Sequence, residues 1–295
     1  MEPLVSVIIP SYGGGEFINR TVDSVLAQTY QNIEIIVVDD NGLETEKQLR
    51  TAAYMSLYKD NPKVRYICHD VNKNGSAARN TGVENSTGKY IGLLDDDDVY
   101  YPNKIATQVK ALDSLGDEYA LTYCSLDIYR GDKKVGERIA TESGSLLYEV
   151  LMHDVTIGSS SMLVRRSVWE ALNGFDESFR RHQDWEFTAR IAANYKVYAI
   201  NEIGFRRYLE FRNSPKTPEK AVEYRKHYLE KMQPYISTLT EEQQKDVIIS
   251  NRMAAAVQYL KTKQILEFMR EYHDIKPGIR GIMYMIKTVK HQIMK

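Results

Sequence analysis

The chain has 295 residues, with 39 Lys and Arg against 40 Asp and Glu. Its composition, 43% apolar and 27% charged, excludes a disordered chain, and the balanced charge gives no field that favours nucleic acid as a partner. Two distant cysteines, Cys68 and Cys124, match no metal-ligand spacing and favour a reducing, cytoplasmic setting. The first residues predict no signal peptide, and no apolar run is long enough to predict a membrane-spanning helix.

Short apolar strands alternate with helical patterns over the first hundred residues. Strands are predicted at 4–10, 33–40, 64–70 and 90–98, and the segments between them carry apolar residues at helical spacing. This alternation predicts an α/β fold with a sheet covered by helices on both faces.

The pattern changes after the first hundred residues. Strands are predicted at 119–130 and 159–166, and helices at 166–174 and 182–195. The turn-rich sequence SPKTP at 214–218 predicts a domain boundary. Beyond it only helices are predicted, at 218–232, 241–262, 264–273 and 278–294.

Polar residues follow four of the predicted strands at the point where each strand ends. They lie at 11–13, 39–40, 69–70 and 95–98. Ligands of open α/β sheets bind outside the carboxyl ends of the strands, so we expect these side chains on one rim. A strand-end pair such as Asp39 and Asp40 can accept hydrogen bonds from a ribose or a base, or it can cap the following turn.

The four aspartates at 95–98, called here the acidic segment, repel one another. Side chains alternate along an extended chain, so Asp95 and Asp97 are expected on one side of it. Two such carboxylates can share a hard cation whose remaining ligands are substrate phosphate and water, and an all-oxygen site favours Mg²⁺ or Mn²⁺ over zinc. A solvated acidic face is the alternative, but the acidic segment directly follows an apolar strand.

Two further sequence features allow more than one interpretation. Asp184 opens a predicted helix beside Trp185, where it either stabilises the helix dipole or acts as a general base for an incoming hydroxyl. The glycines at 13–15 follow a strand, but the third glycine of a dinucleotide fingerprint is replaced by Ile18.

Six segments taken together resemble the family 2 inverting glycosyltransferases, which have the GT-A fold, in the family's order over about two thirds of the chain. They are VSVIIPSY, SVLAQTYQNIEIIVVDD, NKNGSAARNTGV, GKYIGLLDDDDVYYPNKI, GSSSMLVRRSVWEALNGFDESF and QDWEFTARI. The resemblance implies a Rossmann-like, mixed sheet flanked by helices, with a C-terminal all-helical appendage. It also implies a catalytic domain at 1–213, with a nucleotide-binding half (1–100) and an acceptor-binding half (101–213), followed by a helical extension at 214–295.

The resemblance assigns roles to individual residues. The implied nucleotide-sugar contacts are Pro10, Ser11, Tyr12, Asp39, Asp40, Asp70, Arg79, Asp95 and Asp96. Asp40 would contact the base, Asp97 would be the principal metal ligand with Asp95, and Asp184 would be the general base. The chain has Gln183 where the family has the Glu of a Glu-Asp pair, and Gly13 where the family often has Asn.

The implied activity is transfer of a sugar from a UDP-sugar to an acceptor hydroxyl in bacterial surface polysaccharide or glycan assembly, with Mn²⁺ or Mg²⁺ as cofactor. The acceptor would be a glycan or a lipid-linked saccharide. A nucleotidyltransferase that forms nucleotide sugars is one alternative, although SYGGGEFINR carries only Arg20 as a phosphate-binding cation. A non-catalytic module that binds nucleotide sugars is another.

Residues 276–295 carry five Lys and Arg, no acid, and apolar residues at helical spacing. This pattern predicts an amphipathic helix on the inner face of an anionic membrane. Packing of the apolar face on the protein itself, or on a second subunit of a homodimer, explains the same pattern.

Overall fold

The computed structural model describes residues 2–13, 15–209, 217–276, 278, 281–284 and 286. The strands are β1 (Val5–Ser11), β2 (Ile33–Asp39), β3 (Val64–Cys68), β4 (Tyr90–Leu93), β5 (Val99–Tyr100), β6 (Tyr119–Arg130), β7 (Lys133–Arg138), β8 (Met162–Arg165) and β9 (Lys196–Tyr208). The helices are α1 (Ile18–Leu26), α2 (Glu46–Met55), α3 (Gly75–Glu84), α4 (Lys104–Ser114), α5 (Leu147–Leu151), α6 (Arg166–Ala171), α7 (Gln183–Asn194), α8 (Pro218–Ile236), α9 (Glu241–Lys261) and α10 (Ile265–Ile275).

The strands form one mixed sheet in the order β3-β2-β1-β4-β8-β6-β9-β5, and β7 pairs with β6. β1, β2, β3 and β4 are parallel, as the alternation of strands and helices predicts. β8 is antiparallel to both β4 and β6, and β9 is parallel to β6. The predicted mixed sheet flanked by helices is therefore confirmed.

These strand directions determine where the polar strand ends lie. Because β8 is antiparallel to both of its neighbours, β4 and β6, these two strands run in the same direction. β9 is parallel to β6, so β6 and β9 run the same way as β1, β2 and β4. The carboxyl ends of all five strands consequently meet at one edge of the sheet, called here the rim. Ligands bind at such a rim in open α/β sheets.

β1 extends one residue past Pro10, where the sequence predicts its end. Pairing between β1 and β4 stops at Ile8, whose carbonyl accepts a hydrogen bond from Leu94 N at 3.0 Å. Along a parallel strand the backbone N–H and C=O groups of successive residues point alternately to the two neighbouring strands. Pro10 therefore points to the same side as Ile8, where β4 no longer pairs with β1. The proline removes no ladder donor there, and the strand continues to Ser11.

The chain divides into two compact units, one of Met1–Leu146 with Ile157–Arg212 and one of Leu147–Thr156 with Asn213–Lys295. The first unit contains the sheet and an apolar core, in which β1 and β2 are almost fully buried. The division predicted at residue 213 leaves 147–156 with the sheet, whereas these residues cluster with the C-terminal helices. The assignment of a catalytic domain and an extension stays a prediction.

The second unit is helical, as predicted for this part of the chain. Its core joins Met253, Ala256 and Tyr259 of α9 with Phe268 and Ile275 of α10. α9 begins with a capping box, in which Thr240 and Gln243 satisfy each other's backbone donors. Most of the helix predicted at 278–294 lies outside the described residues. None of the helices in the part of the chain that is described has the length and apolar character needed to cross a bilayer.

Candidate active site

The acidic segment lies at the rim, but as a turn. β4 ends at Leu93, and the N–H of Asp98 donates to the carbonyl of Asp95 at 3.0 Å. The predicted alternation of side chains along an extended strand is therefore wrong. The hydrogen bonds of each aspartate, rather than a two-residue period, determine which way its side chain points.

Two side chains of α1 hold this turn by its main-chain carbonyls. The hydroxyl of Thr21 lies 2.9 Å from the carbonyls of both Asp96 and Asp98. The Nη2 of Arg20 donates to the carbonyl of Asp97 at 2.9 Å, and the guanidinium lies 3.9 Å from the ring centre of Tyr208. The cationic end of Arg20 is thereby held close to Asp97, one of four carboxylates that repel one another.

Asp98 is a structural residue of the acidic segment. It is buried, and it accepts hydrogen bonds from the hydroxyl of Ser160 at 2.6 Å and from the N–H of Tyr208 at 3.3 Å. Ser160 also accepts from the N–H of Asp95 at 3.1 Å. These bonds connect β4 to the residues before β8 and to the end of β9.

Asp95 and Asp96 contact the residues that the resemblance groups with them. Asp96 accepts from the hydroxyl of Ser11 at 2.6 Å and from the N–H of Tyr12 at 3.3 Å. Asp95 forms an ion pair with Nη2 of Arg79 at 2.6 Å. The ends of β1 and β4 and the first turns of α3 are therefore joined through carboxylates.

Burial makes the negative charge of this segment costly. It raises the pKa of Asp96 to about 7, with the charges of Asp97 and Asp95 adding to the shift. Burial and the charge of Asp95 likewise raise the pKa of Asp97 to about 6. The pKa of Asp98 is raised well above its usual range, first by burial. A proton or a bound cation would offset this repulsion.

α3 and α7 begin side by side next to the acidic segment. The Nη1 of Arg79 donates to the carbonyl of Gly75 at 3.0 Å. A Cβ at Gly75 would lie 3.0 Å from Arg79 Nη1 and 3.3 Å from Gln183 Nε2, so a side chain there would force both groups to move. Glycine allows the first residue of α7 to approach this closely.

Asp184 lies in the first turn of α7, where it faces the charges of the rim. Burial raises its pKa, and the negative charge of Asp95 raises it further. Arg207 and Arg79 act in the opposite direction. These charges from α7, the acidic segment, β9 and α3 are therefore close enough to interact, although they are far apart in sequence.

The strand-end pair at 39–40 is buried and saturated with hydrogen bonds. Asp39 accepts from Tyr66 at 2.5 Å and from two donors of Asn41. The four donors to the Asp40 carboxylate come from the loop after β3: they are His69 Nδ1, Asn72 Nδ2, Lys73 N and Asn74 N, at 2.7–2.8 Å. In this structure Asp40 orders that loop, and contact with a base stays a prediction.

Asp40→Asn is expected to lower the free energy of unfolding by about 2 kcal/mol or more, because an amide cannot accept from all of these buried donors. Urea unfolding followed by circular dichroism measures this change. Asp70→Asn is the matched control, since its side chain is exposed. Equal stability of the two variants would show that the network contributes nothing.

The remaining predicted contacts lie nearby. Tyr12 is 54% exposed, with Nζ of Lys47 4.9 Å from its ring centre. The carbonyl of Asp70 accepts from Leu43 N at 3.1 Å while its side chain is exposed. Gly13 has φ of +115°, a backbone conformation that L side chains rarely adopt, which accounts for glycine where the family often has Asn.

Sequence reasoning overlooked several residues that shape the acidic segment. Thr21 and Arg207 gave no signal in the sequence, because each acts from an element remote from the aspartates. Ser160 belongs to an SSS sequence that packing alone would explain. Arg20 stands out in the sequence only as a lone cation after the glycines.

The donor set of the acidic segment fits a hard divalent cation. Asp95 and Asp97 offer carboxylate oxygens, and their crowded negative charge would be offset by a metal ion. Within the described ranges, no group of three or more His, Cys, Asp or Glu is arranged to hold a metal. A cation here would therefore need ligands from substrate and water as well as from the protein.

A sequence model described as glycosyl transferase family 2 matches residues 6–172, which is more than half of the chain. The chain belongs to glycosyl transferase family 2. The match contains the acidic segment and ends before α7, which carries Asp184. The predicted family is thus confirmed, while the role of Asp184 stays a prediction.

Relatives of this family 2 glycosyltransferase include bacterial enzymes of polysaccharide biosynthesis. It is 27% identical over 198 residues to the Escherichia coli UDP-Glc:alpha-D-GlcNAc-diphosphoundecaprenol beta-1,3-glucosyltransferase WfgD, covering 67% of this chain and 73% of that enzyme. It is 27% identical over 247 residues to the amylovoran biosynthesis glycosyltransferase AmsB of Erwinia amylovora, covering 79% and 78%. These matches support a transferase enzyme.

Rickettsial relatives are similar over a comparable span. An uncharacterised glycosyltransferase of Rickettsia prowazekii is 29% identical over 250 residues, covering 82% of this chain and 74% of that protein. The chain spans 63% and 28% of the length of the glycosyltransferases matched in Rickettsia typhi and Rickettsia bellii.

Two solved structures show the same fold. TarS of S. aureus in complex with UDP superposes with a TM-score of 0.61 at 13% identity, covering 94% of this chain and 91% of that one. The mannosyltransferase PcManGT of Pyrobaculum calidifontis, in complex with GDP-Man and Mn²⁺, gives 0.62 at 15% identity, covering 99% and 88%. The predicted GT-A fold is confirmed.

Proposed function

We propose that this family 2 glycosyltransferase moves a sugar from a UDP-sugar to an acceptor hydroxyl in surface polysaccharide or glycan assembly, with inversion at the anomeric carbon. WfgD is named for a UDP-Glc donor and a diphosphoundecaprenol-linked acceptor, and AmsB for amylovoran biosynthesis. TarS has been solved with UDP and with UDP-GlcNAc. The observation that carries the proposal is the rim itself, where Asp184 lies within electrostatic range of Asp95.

Asp184 would act as the general base. Its raised pKa makes its carboxylate a stronger base than an ordinary aspartate. It would take the proton of the acceptor hydroxyl as that oxygen bonds to the anomeric carbon. The bond from that carbon to the diphosphate oxygen breaks at the same time, and its electron pair leaves with the nucleoside diphosphate. One displacement inverts the configuration.

The donor would lie along the rim between the ends of β1, β2 and β4. Ser11, Tyr12 and Asp96 already form one hydrogen-bonded group there, next to the Asp95–Arg79 ion pair. Asp97 and Asp95 would hold a Mn²⁺ or Mg²⁺ ion together with the donor diphosphate. When bound, such an ion neutralises charge on the departing diphosphate.

The assay that tests this function measures UDP released from a panel of UDP-sugars with Mn²⁺, with and without EDTA. We expect release that depends on Mn²⁺ and increases with an acceptor. Release of pyrophosphate from a nucleoside triphosphate and a sugar phosphate would instead support a nucleotidyltransferase. Binding of UDP-sugars without release of UDP under any condition would support a non-catalytic module.

The C-terminal helices would bring the enzyme to an anionic membrane at the inner face of the cell. α10 exposes Ile265, Leu266 and Met269, which are 54–73% exposed, and Ile282 and Met283 are exposed beyond it. Apolar side chains among basic residues are typical of helices that lie on anionic bilayers. A homodimer that buries the same side chains is the competing arrangement.

Removal of residues 276–295 is therefore expected to abolish cosedimentation with anionic liposomes, and Ile282→Ser with Met283→Ser to weaken it. Ile248→Ser, at an exposed apolar residue of α9, is the matched control. Unchanged cosedimentation together with a loss of dimers in sedimentation velocity would favour the homodimer.

A further inference from the structure

Arg138 and Arg207 flank the carboxyl end of β6 on opposite sides. Arg138 of β7 pairs with Leu126, and Arg207 of β9 pairs with Ile128. Residues paired across strands point to the same face of a sheet, and so do residues two apart along a strand. Both arginine side chains therefore project from one face at the rim.

Neither guanidinium is paired with another residue in the part of the chain that the structure describes. Within the described residues, neither arginine makes a side-chain hydrogen bond or has a carboxylate within 4.0 Å. Other partly buried arginines of the same unit behave differently. Arg165 donates to the carbonyls of Tyr119 and Leu112, and Arg190 pairs with Glu186.

The two guanidiniums also oppose each other. Burial lowers the pKa of Arg138, and the charge of Arg207 lowers it further. Burial raises the pKa of Asp97 and of Asp184, and the charge of Arg207 partly offsets both shifts, so Arg207 lies within electrostatic range of these two carboxyl groups. Two partly buried guanidiniums that oppose each other, and that form no direct ion pair with any described carboxylate, are stabilised when an anion binds between them.

The position of Arg138 separates it from an ordinary surface arginine. The other basic residues of the β6–β7 hairpin, Arg130, Lys133 and Lys134, are exposed, and Lys134 pairs with Glu137 at 2.8 Å. Arg138 is only partly exposed and lies where the hairpin meets the rim. A purely solvated role would not require this burial.

We propose that Arg138 and Arg207 form a phosphate subsite of the active centre. The planar, forked guanidinium matches phosphate oxygens in pairs, and two of them can hold one phosphate group. The group is either the diphosphate of the donor or a phosphate carried by the acceptor. The inference rests on the proposed function, because that function supplies both phosphates.

The test compares Arg138→Gln and Arg207→Gln with Arg130→Gln, an exposed arginine of the same hairpin. Calorimetry with Mn²⁺ measures the affinity for UDP and for uridine, and then for inorganic pyrophosphate added to UDP-saturated enzyme. If the donor supplies the phosphate, UDP binds about 10- to 100-fold more weakly to both variants and uridine is unaffected. If the acceptor supplies it, UDP affinity is unchanged and pyrophosphate binding is lost.

Wild-type enzyme gives a second measurement that does not depend on the folding of a variant. UDP or pyrophosphate should protect Arg138 and Arg207, but not Arg130, from phenylglyoxal in peptide mass mapping. Affinities equal to those of Arg130→Gln, an equal loss of UDP and uridine binding, or no protection would overturn the subsite. Failure of the proposed function would appear separately, as wild-type enzyme that releases no UDP from any UDP-sugar.

Discussion

Asp184→Asn is expected to slow sugar transfer about 10²–10⁴-fold, the range that a positioned general base contributes. Donor affinity should remain within about twofold, because none of the proposed donor contacts lies on α7. Initial rates of UDP release and calorimetric UDP affinity measure the two quantities. The matched control is the same substitution at an exposed aspartate, Asp60→Asn, which should retain the wild-type transfer rate and UDP affinity.

The pH dependence of wild-type transfer gives an independent check on Asp184. Its carboxylate must be ionised to accept the proton, and burial raises its pKa. Activity at saturating donor and metal should therefore fall, as pH is lowered, at a higher pH than an ordinary aspartate near 3.9 would give. Loss of donor binding in Asp184→Asn, in proportion to the loss of rate, would remove this residue from the base role.

Asp97→Ala is expected to reduce Mn²⁺-dependent UDP affinity at least about 10²-fold, to the value measured with EDTA, since even residues that only orient metal ligands are worth 10–100-fold. Burial and Asp95 raise the pKa of Asp97 to about 6, so protons should compete with the metal below that pH. Calorimetric titration of Mn²⁺ with UDP between pH 5 and about 8 measures both effects. UDP affinity unaffected by Asp97→Ala would place the metal elsewhere.

The neighbouring Asp98→Ala is the informative comparison for Asp97. It leaves the hydroxyl of Ser160 and the N–H of Tyr208 without their buried acceptor. We expect a loss of about 2–4 kcal/mol in the free energy of unfolding. Asp97→Ala should lose less stability and more metal affinity, although the two aspartates are adjacent in sequence.

The sequence predicted the elements of the sheet well because their signal is local. β1 and β2 are almost continuously apolar, as strands buried on both faces must be, and α1 and α7 repeat their apolar residues at helical spacing. It also predicted that strand-end acids would share a rim, since parallel strands end at one edge. The turn of the acidic segment was missed, because four identical side chains carry no periodic signal.

The sequence alone determined the family and the alternation of strands and helices. It also determined that Asp39 and the acidic segment lie at one rim. Only the tertiary structure decided how the four aspartates differ. The carboxylate of Asp96 is held by a hydrogen bond from Ser11, 85 residues away, and that of Asp98 by one from Tyr208, 110 residues away. The tertiary structure also decided that Arg138 and Arg207 lie on one face of the sheet, since strand pairing brings them there. Hydrogen bonds and charges of this range depend on how remote strands pair, and no local pattern of residues records that pairing.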